Sequence, residues 1–286
     1  MNFFVNLPLS WVYRDRSWLD LLFARSAQAT PGFAFGPELG FDETSLALPP
    51  VWHRDIAARI REHGLKASVH LPFFMPPPGA ADQSARAQSR DTLCRAAGLA
   101  AIYEAAHLIG HPMFDPAVPF PSAASPQGTA EWLERSLPAW LAVLEANPAP
   151  LFLENTYEQG PAAIIALLRG IRAATEEPRA AFCFDIGHWF SFAGGSRLDN
   201  LENWLELVAP WLGHLHLHDN DGSGDQHVGL GCGGIPLDDF FTSLADRGLS
   251  CTFTMEPHEL ESLAASLDWL ERNPAARAWL ETRRPL

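Results

Sequence analysis

Lysine is almost missing from this sequence of 286 residues, because Lys66 is the only lysine among twenty basic residues. An enzyme that works through a Schiff base needs a lysine amine, so Lys66 would have to provide it. Lys66 begins a predicted strand, whereas the active sites of α/β barrels form where the strands end. The sequence therefore disfavours Schiff-base chemistry.

Positive charge is scarce in general, since the formal net charge at pH 7 is -14. Proteins that bind nucleic acid neutralise its phosphates with many lysine and arginine side chains. A chain without a broad basic surface is a poor match for that role. We therefore expect a small-molecule substrate, with neither nucleic acid nor a membrane as partner, and a homo-oligomer remains compatible with the sequence.

Paired cysteines and long apolar runs are also missing. The four cysteines, Cys94, Cys183, Cys232 and Cys251, are scattered and form no CxxC motif, which indicates a reducing compartment without a disulfide framework. No apolar run reaches the length of a transmembrane helix. The opening "MNFFVNLPLS" lacks the positive charge of a signal peptide and is interpreted as a first strand. We therefore expect a cytoplasmic protein.

Short apolar runs alternate regularly with amphipathic segments along the chain. The predicted strands are "FFVNL", "GFAFG", "KASVHL", "HLIGH", "LFLEN", "AFCFD", "HLHLH" and "CTFTME". Helical segments, several with apolar residues at i, i+3, i+4 and i+7, are predicted at 18–27, 51–64, 89–106, 129–147, 161–175, 198–211, 236–248 and 259–273. A doubly wound open sheet would usually carry a Gly-rich fingerprint. Its absence favours an α/β fold with a single (β/α)8 TIM-barrel domain over residues 1–286.

Two proline-rich stretches follow the third and fourth predicted strands. They are "FFMPPPGAADQS" at 73–84 and "HPMFDPAVPFPSAASPQG" at 111–128. Loops that follow barrel strands lie on the C-terminal face, where active sites form. We expect both stretches there, either as lids or as solvated loops.

Titratable side chains recur at the ends of the predicted strands, about once per βα unit. They are His70, His111, Glu154, Asp185, His216 and Glu256. The carboxyl ends of barrel strands meet at one mouth, so these side chains should converge. Because neighbouring strand residues face opposite sides, an inward Asp185 shares its face with Cys183, while Phe182 and Phe184 face the helices.

Glutamate, aspartate and histidine at such positions are ligands for a divalent cation. A cation also solves an electrostatic problem, since carboxylates crowded in a barrel mouth would otherwise repel one another and become protonated. The residues alone therefore predict a divalent metal; zinc or manganese is what the family resemblance described below implies.

The richest stretch is "HLHLHDNDGSGDQH" at 214–227. Its first part is a predicted strand in which His214, His216 and His218 share one face at three depths. His216 is assigned to the depth of the ligands, and His214 to a deeper position as a hydrogen-bonded residue. The turn that follows ends with Asp225 and His227, which are placed to reach one ion.

In these residues the sequence resembles the xylose isomerase-like TIM-barrel superfamily, which contains sugar isomerases and epimerases and the endonuclease IV-type nucleases (AP endonuclease family 2). The resemblance covers nearly the whole chain. Its most specific parts are "LENT" (153–156), "FDIGH" (184–188), "HLHD" (216–219), "DQHVGLGCG" (225–233) and "MEP" (255–257).

The resemblance implies two sets of metal ligands. The isomerase branch implies one ion held by Glu154, Asp185, His216 and Glu256. The nuclease branch implies up to three zinc ions held by His70, His111, Glu154, Asp185, His188, His216, Asp225, His227 and Glu256. One position departs from the superfamily's usual Gly-Glu-Gly loop, because Cys232 replaces the glutamate.

Our first hypothesis is a metal-dependent isomerase or epimerase of carbohydrate metabolism that acts on a small sugar, polyol or sugar phosphate. Glu154 and Glu256 would exchange the proton as base and acid, and His188 would polarise a substrate oxygen. Trp189, His218 and Glu38 are predicted to contact the substrate. One bound ion is expected in this case.

The alternative hypothesis is a multinuclear zinc hydrolase of a phosphoester or phosphoribosyl-containing small molecule, with two or three ions. The number of matching ligand positions favours this alternative. A third class, a metal-bearing binding protein without catalysis, would explain the ligands but not a pair of opposed glutamates.

Overall fold

The computed structural model describes residues 3–29, 34–112, 126–175, 179–193 and 198–282. Eight parallel strands close into a barrel in chain order, each pairing with the next and β8 pairing with β1. The predicted (β/α)8 TIM barrel is therefore confirmed. The strands are β1 (Phe3–Pro8), β2 (Phe35–Gly40), β3 (Ser68–His70), β4 (Leu108–Gly110), β5 (Leu151–Glu154), β6 (Ala180–Asp185), β7 (Leu212–Leu217) and β8 (Thr252–Met255).

Helices surround the barrel and include all eight predicted helical segments. Within the described residues they are α1 (Leu9–Arg14), α2 (Ser17–Gln28), α3 (Glu43–Ala47), α4 (Pro50–Glu62), α5 (Gln83–Ala100), α6 (Pro126–Ala146), α7 (Ala162–Ala174), α8 (Ile186–Phe192), α9 (Leu198–Val208), α10 (Leu237–Asp246), α11 (Leu260–Arg272) and α12 (Pro274–Thr282). None of the helices in this part of the chain is long and apolar enough to span a membrane.

The strands show the predicted division between a polar barrel interior and an apolar outer face. Phe184 of β6 packs against Trp204 of α9 and Phe240 of α10. Asp185, the next residue, pairs in register with His216 of β7, and both side chains are fully buried. The apolar outer face therefore packs against the helices, while polar side chains lie inside the barrel near the strand ends and the rings of Phe4 and Phe152 pack deeper, against His107 and His214.

The predicted position of β2 is wrong. The run "GFAFG" at 32–36 mimics a strand, but β2 begins at Phe35 and continues through Gly36, Pro37 and Glu38. Glycine and proline have low strand propensity, so local preference misses this strand. Barrel register decides its place instead, because Asn6 of β1 pairs with Glu38 and Glu38 pairs with Ser68 of β3.

In the first proline-rich stretch, Phe73 and Phe74 line the mouth cavity. Gly79 in this loop packs directly on α6, where a Cβ would lie 2.4 Å from Trp132 Cδ1. The loop is therefore anchored to the helix layer. Of the second stretch, residues 113–125 lie outside the described residues.

We predict that Gly36→Ala destabilises the barrel, because a Cβ at Gly36 would lie 1.8 Å from the Lys66 carbonyl oxygen. The free energy of unfolding should fall by roughly 1–3 kcal/mol or more, measured by urea or thermal unfolding. Gly98→Ala is the matched control, since Gly98 is exposed in α5 with open space around its Cβ position. That change should be neutral or stabilise by up to about 1 kcal/mol. Equal stability of both variants would contradict the β2 register.

Candidate metal centre

A cavity of about 790 Å³ opens at the carboxyl ends of the strands. Seven of the nine predicted ligands line it, namely His70, His111, Glu154, His188, Asp225, His227 and Glu256. The other two, Asp185 and His216, are fully buried behind this lining. The structure therefore brings residues from the ends of six strands, from α8 and from the loop after β7 to one mouth.

The central group consists of Glu154, Asp185, His216 and Glu256, whose donor atoms all lie within 4.8 Å of one another. His216 Nδ1 is 3.2 Å from both Glu154 Oε2 and Glu256 Oε1 and 3.8 Å from Asp185 Oδ2. Glu154, Asp185 and Glu256 stand at the ends of their strands, so barrel closure alone brings these distant residues together.

The β3–β4 group consists of His70, His111 and Glu154. His70 Nε2 and His111 Nε2 lie 3.2 Å and 3.1 Å from Glu154 Oε2. This is the same oxygen that contacts His216 in the central group. The carboxylate of Glu154 is therefore shared between two groups of donors.

The loop group consists of His188, His218, Asp225 and His227. Asp225 Oδ2 lies 3.2 Å from His188 Nε2 and 3.0 Å from His227 Nε2. The side chain of Asp225 is 32% exposed, whereas the three imidazoles are buried. The loop group is thus the most open of the three.

Backbone carbonyls fix the protonation of three of these imidazoles. The Nδ1 atoms of His70, His188 and His227 donate hydrogen bonds to the carbonyls of Leu71, Asn155 and Glu256 at 2.9, 2.9 and 2.7 Å. Because a carbonyl only accepts, each Nδ1 carries the proton. In a neutral ring the Nε2 lone pair then faces a carboxylate oxygen, which is also an acceptor.

The donor set fits divalent cations. Two acceptors that face each other need a proton or a cation between them, and ligand atoms about 2.1 Å from a tetrahedral zinc lie roughly 3.4 Å apart, close to the separations seen here. Asp185 Oδ2 and His216 Nδ1 are also buried without a hydrogen-bond partner in the structure. Buried polar atoms rarely lack a partner, so a cation in the central group would satisfy both.

Without a cation, the carboxylates draw protons onto the imidazoles. Burial alone would lower the pKa of His227, but its hydrogen bond with Asp225 and the charges of Glu256 and Asp225 raise that pKa to about 9. Burial likewise opposes the charge on His188, yet Asp185, Asp225 and Glu154 hold its pKa well above the ordinary value. Bound cations would replace these protons, so metal binding should release protons.

Backbone strain accompanies His227. Its φ angle of 51° places it in the left-handed region, which is uncommon for residues other than glycine and concentrates at functional sites. This conformation inserts the ring between the imidazoles of His218 and His258, at centroid distances of 3.9 and 4.0 Å. No sequence pattern singles out His258, which also lines the cavity.

A second polar layer lies deeper in the barrel, around Glu38. Its Oε2 accepts hydrogen bonds from Ser68 Oγ at 3.0 Å and Thr254 Oγ1 at 2.8 Å. Its Oε1 is 3.1 Å from His216 Nε2, on the side of the ring opposite the central group. As predicted, His214 is a deep hydrogen-bonded residue, because its two nitrogens contact Thr252 and Thr254.

The three residues predicted to contact substrate lie behind the cavity lining. Glu38 is fully buried in the deep layer and Trp189 is fully buried in α8. His218 packs against the backbone of Gly187, where a Cβ would meet its ring at 2.0 Å, and its Nε2 is 3.2 Å from Asp185 Oδ1. Contact of these three residues with substrate stays a prediction, and it would require them to act from behind the cavity lining.

The glycine-rich loop is held by Asp219, which the sequence did not single out. Its carboxylate accepts hydrogen bonds from the backbone N–H groups of Asn220, Gly231, Gly233 and Ile235 at 2.9–3.1 Å. Cys232 within this loop is exposed and does not line the cavity. Asp219 therefore fixes the segment that follows the two loop ligands.

The chain resembles known proteins in both sequence and structure. A model of the xylose isomerase-like TIM barrel family matches residues 31–273. The TTHB071 protein from Thermus thermophilus, in a structure obtained by soaking with ZnCl2, has a TM-score of 0.68 at 26% identity over 100% of both chains. A D-tagatose 3-epimerase-like protein has a TM-score of 0.68 at 18% identity, covering 98% of this chain and 97% of that chain.

Further structural neighbours are sugar epimerases. D-psicose 3-epimerase in the presence of D-fructose gives a TM-score of 0.60 at 14% identity and covers 86% of each chain. At such identities the likeness concerns the fold. No curated protein matches the sequence.

We predict that Asp225→Asn lowers the number of bound zinc ions by about one per chain, because Asp225 is the only carboxylate of the loop group. Zinc would be counted by mass spectrometry after dialysis of the reconstituted protein. Asp42→Asn is the control, since Asp42 lines the same cavity but belongs to none of the groups. An unchanged ion count in Asp225→Asn would contradict a site in the loop group.

We also predict that Glu38→Gln weakens zinc binding by about 10–100-fold, because groups that orient a ligand contribute that much. The affinity would be measured by competition with a fluorescent chelator. Ser68→Ala is the control, since it removes a hydrogen bond to Oε2 but leaves Oε1 facing His216, and its affinity should stay within a few-fold. Wild-type affinity in Glu38→Gln would show that Glu38 does not orient His216.

Proposed function

We propose that this chain, which belongs to the xylose isomerase-like TIM-barrel family, is a metal-dependent enzyme. The reaction that we propose is hydrolysis of a phosphoester of a small molecule. The observation that carries this proposal is the position of Glu154. Its carboxylate is shared between two groups of donors, and a third group lies beside them. A shared carboxylate is the arrangement of a multinuclear centre.

The surroundings of Glu154 argue for a bridging ligand over a proton-transfer base. Its Oε1 lies 3.1 Å from His188 Nδ1, and its Oε2 contacts three imidazoles at 3.1–3.2 Å. A general base must reach a substrate proton with an available lone pair. The Oε2 atom is surrounded by three imidazole nitrogens and Oε1 faces the protonated Nδ1 of His188, so the carboxylate serves better as a metal ligand through Oε2.

The cavity supports a small substrate. Neither lysine nor arginine occurs among the described residues that line it, and Asp42 adds negative charge at the rim. A nucleic acid would present several phosphates to this surface without the basic contacts on which its binding depends. A single phosphoester over the donor groups avoids this problem.

In the proposed hydrolysis, the histidines and carboxylates of the mouth would hold the cations and admit the substrate. Divalent cations would supply Lewis acidity, which acidifies water and neutralises a phosphoryl group. The three backbone-bonded imidazoles keep their Nε2 atoms aimed into the mouth. Asp225 is the donor most open to solvent, so water and substrate would enter beside it. In hydrolysis the oxygen of water joins phosphorus, the ester P–O bond breaks, and a proton ends on the leaving alcohol.

A sugar epimerase is the second candidate function. Glu154 and Glu256 flank His216 Nδ1 at equal distances of 3.2 Å, as two glutamates around one ion would. Burial, together with the charges of Glu154 and Asp185, keeps the pKa of Glu256 raised despite the opposing charge of His216. Structural neighbours that are sugar epimerases also favour this candidate. It would use the central group alone.

We predict that Glu154→Gln lowers metal-dependent turnover by at least a hundredfold and weakens zinc binding. The assay would offer bis(p-nitrophenyl) phosphate, p-nitrophenyl phosphate and a panel of ketoses to protein loaded with zinc or manganese. Glu158→Gln is the matched control, because Glu158 is a buried neighbour outside the donor groups. It should keep near wild-type activity.

The outcomes separate the hypotheses. Phosphoester hydrolysis with two or three ions supports the first proposal, and epimerisation with a single ion would replace it with the second. Metal binding without any turnover would leave a binding protein. Full activity in Glu154→Gln would exclude both enzyme mechanisms.

A further inference from the structure

Two exposed aromatic side chains stand at the rim of the mouth cavity. Among the described residues, the large apolar side chains that are exposed are Tyr13, Val51, Phe74, Tyr157 and Leu207. Phe74 and Tyr157, at 83% and 54% exposure, both line the cavity. Exposed apolar groups that gather at a concave site indicate a binding surface.

Aromatic contacts connect this rim to the donor groups. The ring of Phe73 lies 4.8 Å from His111 and 5.6 Å from His70, and Phe74 lies 4.0 Å from Phe73. On another side, Phe192 lies 5.9 Å from His188, and Tyr157 lies 4.6 Å from Phe192. An apolar surface therefore starts at the imidazoles and continues outward to the rim.

The loop that carries Phe73 and Phe74 is held in place. Three prolines, residues 76–78, follow within it and fix their own φ angles. The close packing of Gly79 on Trp132 anchors the loop to α6. A rim that is rigid before binding loses less conformational entropy on binding, so the exposed rings are available as a preformed platform.

The charge of the cavity limits what this platform can bind. Its charged lining residues are acidic or histidine, and the described lining contains neither lysine nor arginine. An additional anionic group on the substrate would therefore meet no partner. A neutral ring fits, because it stacks on aromatic faces and buries apolar surface.

We propose that the substrate is a phosphoester that carries a neutral aromatic ring, and that this ring lies on the platform of Phe73 and Phe74. The inference rests on the proposed function, since it places the phosphoryl group over the donor groups. Phe74 would then be a residue that determines specificity.

The test uses two non-hydrolysable phosphonates with the same charged group, propylphosphonate and 3-phenylpropylphosphonate. Their affinities for the zinc-loaded protein would be measured by calorimetry. We expect 3-phenylpropylphosphonate to bind at least tenfold more tightly. Phe74→Ala should lose most of this preference, and Phe74→Tyr should keep it. Tyr13→Ala is the control, because Tyr13 is exposed outside the cavity.

Equal affinity for the two phosphonates in the wild type would overturn the inference, and so would an unchanged preference in Phe74→Ala. Phe74 is largely exposed, so its replacement should not disturb folding. The proposed function fails separately. If no phosphoester is hydrolysed but the preference for the ring persists and depends on Phe74, the platform stands and the hydrolytic chemistry does not.

Discussion

The carboxylate of Glu154 is the interaction on which the mouth of this barrel depends. It is buried among four imidazoles, those of His70, His111, His188 and His216, at 3.1–3.2 Å. Two further carboxylates, Asp185 and Glu256, share the same space. Such a cluster is stable only if positive charge compensates it. Protons on the imidazoles can supply that charge, and so can cations, for which the donor atoms are already spaced.

Groups outside the donor set keep this cluster in order. Backbone carbonyls hold the Nδ1 protons of three histidines, and Glu38 faces His216 from below. Asp219 binds three backbone N–H groups of the loop that follows Asp225 and His227. Outer contacts of this kind fix the orientation of ligands and their tautomers. The site is therefore built from the deep barrel layer upward.

The sequence predicts most of the site because strand geometry is simple. Side chains alternate between two faces, and parallel strands end at one mouth, so Glu154, Asp185, His216 and Glu256 could be assigned to one place. Relative depth could be predicted within one strand, as for His214 below His216, but depth between strands and the grouping of the donors could not, since they depend on how the strands stagger around the closed barrel. Glu38 illustrates this limit, because its strand contains Gly36 and Pro37 and is recognised only from its pairing with β1 and β3. The aromatic rim could not be predicted from the sequence for a related reason, because the exposure of Phe74 depends on how its loop packs on the barrel.

A fold that carries sugar epimerases is compatible with phosphoester hydrolysis, because fold and chemistry are decided by different residues. The central group alone would provide four ligands for one ion. Two of these four, Glu154 and Glu256, would then also exchange the proton in an epimerase. Adding His70 and His111 brings two more imidazoles to Oε2 of Glu154, while Oε1 faces the protonated Nδ1 of His188. A carboxylate that binds cations has a lower affinity for protons, so Glu154 in that position would be a weaker base for proton transfer. Under either proposed function, the residues around Glu154, rather than the barrel itself, would decide between proton transfer and hydrolysis.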